Sequence, residues 1–187
     1  MRQTELVQAT RSHGETLLYR VAAIGLFAAA TLNLMTWLPV DVSGLTVPTV
    51  AVFVGVFVVW IPSLLLVQGR SRTRRDSTVA WYRRRNSWQI STALRGAPRW
   101  LSVTLGVAAV YVFVNFFASL TVLPGQPEYS NGVCFFNVHG SHVIIDHQRY
   151  LEGVRTQMRM FTGHPIVFYL LAMLMLHSRS GATRERA

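Results

Sequence analysis

The sequence predicts an all-α membrane protein: a bundle of four transmembrane helices carrying a small extracytoplasmic β-hairpin and an amphipathic helix. Three observations predict it. Hydrophobic residues make up 51% of the 187 residues, and the mean hydropathy is +0.31. These residues are gathered into long runs of bilayer-crossing length. The formal net charge is +10, and the basic residues, all arginine, flank the runs. Anionic lipid headgroups, and not nucleic acid, are the partner this placement predicts. One integral membrane domain, 1–187, is expected. Cys134 is the only cysteine, so no intrachain disulfide can form.

The spans are predicted at about 17–40, 47–67, 101–123 and 158–177, with a basic cytoplasmic loop at 68–100 and an external segment at 124–164. The polar arm 1–16 precedes a first run too long for a signal peptide and without a small-residue cleavage end. That run is read as a retained helix. Arg20 extends its head to the interface, and Trp37 is the aromatic anchor at the far end. Asn33 is read as an interhelical hydrogen-bonding group. A link of about ten residues, Pro39 to Pro48, makes the first two spans an antiparallel hairpin, and Pro62 is expected to kink the end of the second. The third span carries Asn115 and Ser119 one turn apart, a candidate helix–helix face.

The loop 68–100 holds nine arginines, and loops rich in arginine stay in the cytoplasm. Trp81 and Trp88 fall seven apart on one helical face, with Arg83, Arg84 and Arg85 beside it. This pattern suits a helix lying in the headgroup region, so these five are expected to face lipid. With Arg179, Arg184 and Arg186 after the last span, both termini are expected in the cytoplasm.

The external segment holds four of the six histidines. The stretch CFFNVHGSHVIID alternates as a β-hairpin, and Gly140-Ser141 suits a two-residue type II′ turn. That turn would set His139 opposite His142, with Cβ atoms about 4.5–5.5 Å apart. One face would carry Cys134, Phe136, Val138, Val143 and Ile145; the other Phe135, Asn137, His139, His142 and Asp146. Asp146 can cap an amphipathic helix in which Tyr150, Leu151, Val154, Met158 and Phe161 recur at helical spacing. The sequence Thr162-Gly163-His164-Pro165 is expected to break or kink it before the last span.

Several chemistries can be weighed on residue types. His139, His142 and His147 are candidate ligands for zinc or copper, with Cys134, Asp146 or His164 able to complete a set. Their spacing matches no zinc signature, so no cofactor is predicted. His164 and His177 lie roughly 20 Å apart along one helix, but no other span offers a histidine to a haem. No nucleophile elbow, zincin or phosphate-loop motif occurs, so no catalytic residue is assigned. The spans hold no carboxylate of the sort ion-coupled transport uses.

Asn137, His139 and Gly140, then Tyr150, then Arg159, Phe161, Gly163 and His164 form the pattern N-x-H-G…Y…R-x-F-x-G-H. This resembles the external segment of small uncharacterised bacterial four-span membrane proteins. The resemblance covers about thirty residues and implies a shared structural feature in a bacterial inner membrane, with no activity attached. Asn137, His139, Gly140, Tyr150, Arg159, Phe161 and His164 are accordingly the expected interaction residues. The function expected is a non-enzymatic accessory role, in which the external segment docks a membrane-protein partner or a second copy of the chain. The alternative is a metal- or redox-linked membrane enzyme using the external histidines.

Overall fold

The computed structural model describes residues 2–72 and 97–184. Four helices are present: α1 (Arg2–Met35), α2 (Thr46–Arg72), α3 (Arg99–Val122) and α4 (His147–Arg184). All four contain stretches long and apolar enough to cross a membrane. Burial is unequal among them. In α4, 56% of the most apolar stretch is buried, against 6% in α3. The reason is position: α1, α2 and α3 each pack on α4, and α1 also packs on α2.

Between helices in lipid, association depends on close packing, because the lipid is as apolar as the side chains. Here small residues permit that approach. Ala22 and Ala29 of α1 and Ala172 of α4 are fully buried. Gly25 of α1 and Gly55 of α2 flank the ring of Tyr169 on α4, and a Cβ at either glycine would strike it. The Tyr169 hydroxyl donates to the Val52 carbonyl at 2.9 Å, so its polar tip is satisfied inside an apolar contact.

The first helix begins at Arg2, well before Leu17, and ends at Met35. Thr36 and Trp37 close a loosening turn through amide bonds to Asn33 and Leu34. A break or kink is expected at 162–165, and no break occurs there. Pro165 lies inside one continuous helix of 38 residues, so the amphipathic helix and the last span are a single element. Proline removes an N–H and disfavours a helix interior. Here Thr162, Gly163 and Pro165 are all buried, and packing on three sides holds the turn helical against that preference. Pro62 likewise sits inside α2, where Ser63 donates to the Val59 carbonyl at 2.7 Å.

Between α3 and α4 runs a three-stranded antiparallel meander, β1 (Gln126–Ser130), β2 (Val133–Val138) and β3 (Ser141–Ile144), in that order. The expected hairpin is its β2–β3 half. Its turn is corrected: His139 and Gly140 occupy the two central positions with φ of 53° and 89°, as a type I′ turn requires. Asn137 therefore pairs with His142 and Val138 with Ser141. The shift from the expected register is two residues. An even shift preserves the faces, so Phe136, Val138 and Val143 still share one side, while His139 leaves the ladder. The β1–β2 turn, Asn131-Gly132, repeats the geometry with φ of 52° and 81°.

β1 and β2 rest on α4. The Phe136 ring lies over Gly153, where a Cβ would come 2.8 Å from the ring, with Pro127 at 3.3 Å. Replacing Gly153 by Val would therefore overpack this contact, at about 1–3 kcal/mol. The expected outcome is a lower melting temperature in detergent; an unchanged one would mean that the sheet does not sit on α4.

Candidate functional site

The polar side chains converge near one end of the bundle, where α1 ends. A helix C-terminus leaves carbonyls without intrahelical donors and carries partial negative charge. Arg159 of α4 supplies both needs. Its Nη2 donates to the Thr36 carbonyl at 2.9 Å, and its Nε to Thr36 Oγ1 at 3.4 Å. The guanidinium carbon stands 3.7 Å from the Trp37 ring centroid, a cation–π contact. One turn earlier, Arg155 Nε donates to the Val40 carbonyl at 3.1 Å. In the same connection Asp41 accepts from the Ser43 amide at 2.8 Å, which holds its carboxyl below the usual range.

The carbonyl of Arg159 is itself a meeting point. Asn33 of α1 donates to it at 3.2 Å and Asn115 of α3 at 3.3 Å. Asn33 Nδ2 also donates to Thr162 Oγ1 at 3.0 Å. The Tyr111 hydroxyl donates to Asn33 Oδ1 at 2.7 Å and accepts from Trp37 Nε1 at 3.1 Å. Asn33, Thr36, Asn115 and Thr162 are buried, so their polar atoms must be paired within the protein. The network ties α1, α3 and α4 together at one level. Asn33 acts as the interhelical group its position predicts, and Asn115 and Ser119 form a buried helix face as expected.

The other predicted residues are distributed differently. Asn137 is a turn device: its side chain accepts from the Gly140 amide at 3.0 Å and donates to Glu128 Oε1 at 2.9 Å. His139 and Gly140 are the exposed turn itself. His142 lies against the Phe135 ring, with centroids 4.4 Å apart. His147 stands 3.7 Å from the Cys134 sulfur and 6.1 Å from the Tyr150 ring. Asp146 caps α4 as predicted, accepting from the Arg149 amide at 2.8 Å. Phe161 is exposed and meets Phe53 edge-on; His164 meets Phe116 edge-on. His164 Nδ1 lies 2.8 Å from the Met160 carbonyl. A carbonyl only accepts, so that nitrogen carries the proton.

The seven expected interaction residues are thus not one patch. They divide among the sheet turn, the Tyr150 corner and the Arg159 junction. Among the described residues, no three of His, Cys, Asp and Glu are grouped to hold a metal ion. His139, His142 and His147 occupy a turn, a strand and a helix start. Trp81, Arg83, Arg84, Arg85 and Trp88 lie outside the described residues. Thr36, Tyr111 and Thr162 were not singled out by sequence, because a Thr or Tyr in an apolar span carries no spacing signal of its own. No protein-family model, curated protein or solved structure matches this chain.

Tyr111→Phe removes the hydroxyl that both donates to Asn33 and accepts from Trp37. A loss of about 1 kcal/mol is expected, read as a lower melting temperature in detergent. No shift would mean that the network does not close through Tyr111.

Proposed function

We propose that this is a multi-pass accessory protein of a bacterial inner membrane whose extracytoplasmic sheet docks a strand of a partner membrane protein. In this reading both termini and the loop 68–100 are cytoplasmic. The charge bias supports that orientation: nine arginines lie in the loop, against three arginines and three carboxylates in 124–164. Trp81, Arg83, Arg84, Arg85 and Trp88 then contact anionic headgroups of the cytoplasmic leaflet.

The observation that carries the docking role is the free edge of β3. Every residue of β3 is exposed, Val143 by 51% and Ile144 by 76%. In a two-residue hairpin the positions flanking the turn form a hydrogen-bonded pair, and bonded pairs then alternate. Val138 and Ser141 are such a pair, as are Phe136 and Val143. The Ile145 amide, bonded to the Cys134 carbonyl at 3.0 Å, continues the series. His142 and Ile144 therefore direct their N–H and C=O groups outward. The opposite edge differs. β1 contains Pro127, which has no N–H, and it packs on α4. The sheet is blunted on one edge and open on the other, which suits strand addition at β3.

A metal- or redox-linked enzyme is the second reading, and the 3.7 Å approach of Cys134 to His147 is the one observation in its favour.

Ile144→Pro tests the docking role. It removes an outward N–H and leaves the β2–β3 ladder bonds intact. Purification from native membranes in mild detergent, with mass spectrometry of co-eluting proteins, should give a stoichiometric partner for the parent chain and its loss for Ile144→Pro. Elution of the parent chain alone, or full retention of the partner by the variant, would contradict the proposal.

A further inference from the structure

We infer that the cleft between α3 and the Arg159 junction is a binding site for one anionic phospholipid of the surrounding bilayer. The inference rests on the membrane placement proposed above and is independent of the β3 edge.

The cleft has a volume of about 550 Å³. Its floor and mouth differ in chemistry. Along α3 it is lined by Val107, Val110, Val114 and Val122. From Asn115, which bonds the Arg159 carbonyl, α3 descends to Val107 over about 12 Å, close to the ~15 Å half-thickness of a bilayer's hydrocarbon core. One acyl chain can lie along such a groove. On the facing side α4 contributes Arg159 and Thr156, and Asn115 adds an amide from α3 itself.

Charge selects the occupant. Arg159 donates through Nη2 and Nε to Thr36 and rests on Trp37. No carboxylate pairs with it among the described residues, and its charged neighbour on the same helix is Arg155, another cation. A cation without a counter-ion beside an apolar groove is electrostatically incomplete in a low-dielectric setting. A phosphate oxygen of a lipid headgroup completes it, since guanidinium matches phosphate geometry. Depth agrees: Arg159 sits beside Trp37, at the end of α1, where interfacial aromatics belong. A zwitterionic lipid brings its own cation and gains less.

The test is native mass spectrometry of the full chain, extracted from membranes in detergent and titrated with phosphatidylglycerol or phosphatidylcholine. Extraction that needs detergent secures the membrane placement whatever the lipid result. The parent chain should retain one phosphatidylglycerol under activation that strips phosphatidylcholine. Arg159→Gln should weaken that retention about fivefold. Ala118→Trp, which fills the cleft from an exposed α3 position, should abolish it and guards against misfolding of the arginine variant. The triple variant Arg83→Gln, Arg84→Gln, Arg85→Gln should keep it. Equal retention of the two lipids would overturn the inference. So would phosphatidylglycerol retention unaffected by Arg159→Gln and Ala118→Trp, or lost only in the triple variant.

Discussion

Two asparagine amides, one from α1 and one from α3, donate to a single backbone carbonyl, that of Arg159. That convergence is possible only if α4 runs between the two helices. It accords with α4 being long and unbroken and with more of its most apolar stretch buried than of α3's. In lipid, apolar surface alone does not choose one helix partner over another; buried amides and close small-residue contacts do. Asn33, Asn115 and Thr162 supply the first, and Ala22, Gly25, Ala29 and Gly55 the second. The side chain of Arg159 then caps the end of α1, so one residue serves three helices through two different groups.

The sheet hangs from the same helix. Phe136 and Pro127 seat on the α4 turn at Gly153, six residues before Arg159. Cap and bundle thus share one helix, with β1 and β2 resting on α4. The proposed docking edge and the proposed lipid cleft are separate surfaces. Each proposal rests on its own chemistry: outward backbone groups of His142 and Ile144 for a strand, and a guanidinium with no paired carboxylate among the described residues, beside valines, for a phospholipid.

Much of this arrangement was legible in the residues. Run length separated the four helices, and the roles of Asn33, Asn115, Ser119 and Asp146 followed from polarity at helical spacing. Two local preferences are overridden by the fold. Pro165 disfavours a helix interior and suggests a break or kink, but its turn is buried and the helix is not broken there. Gly140-Ser141 suits a two-residue turn, yet the chain turns at His139-Gly140, where His139 adopts positive φ at modest cost while Asn137 accepts from the Gly140 amide. Asn131-Gly132 was a strong hairpin signal that would have revealed β1, and Gly125, whose Cβ would strike the Asn137 backbone, another mark of close strand approach. Arg159, Asn33, Asn115 and Trp37 stand out singly in the sequence, but their meeting in one junction does not. Thr36, Tyr111 and Thr162 are ordinary span residues, and only the packing of α1 and α3 on α4 brings them together.

The most direct measurement is a double-mutant cycle on Asn33→Leu and Asn115→Leu, read as unfolding free energy in detergent. Both amides share the Arg159 carbonyl, so the two losses should not add. A coupling of about 0.5–1.5 kcal/mol is expected. Strict additivity would contradict the convergence of α1 and α3 on α4.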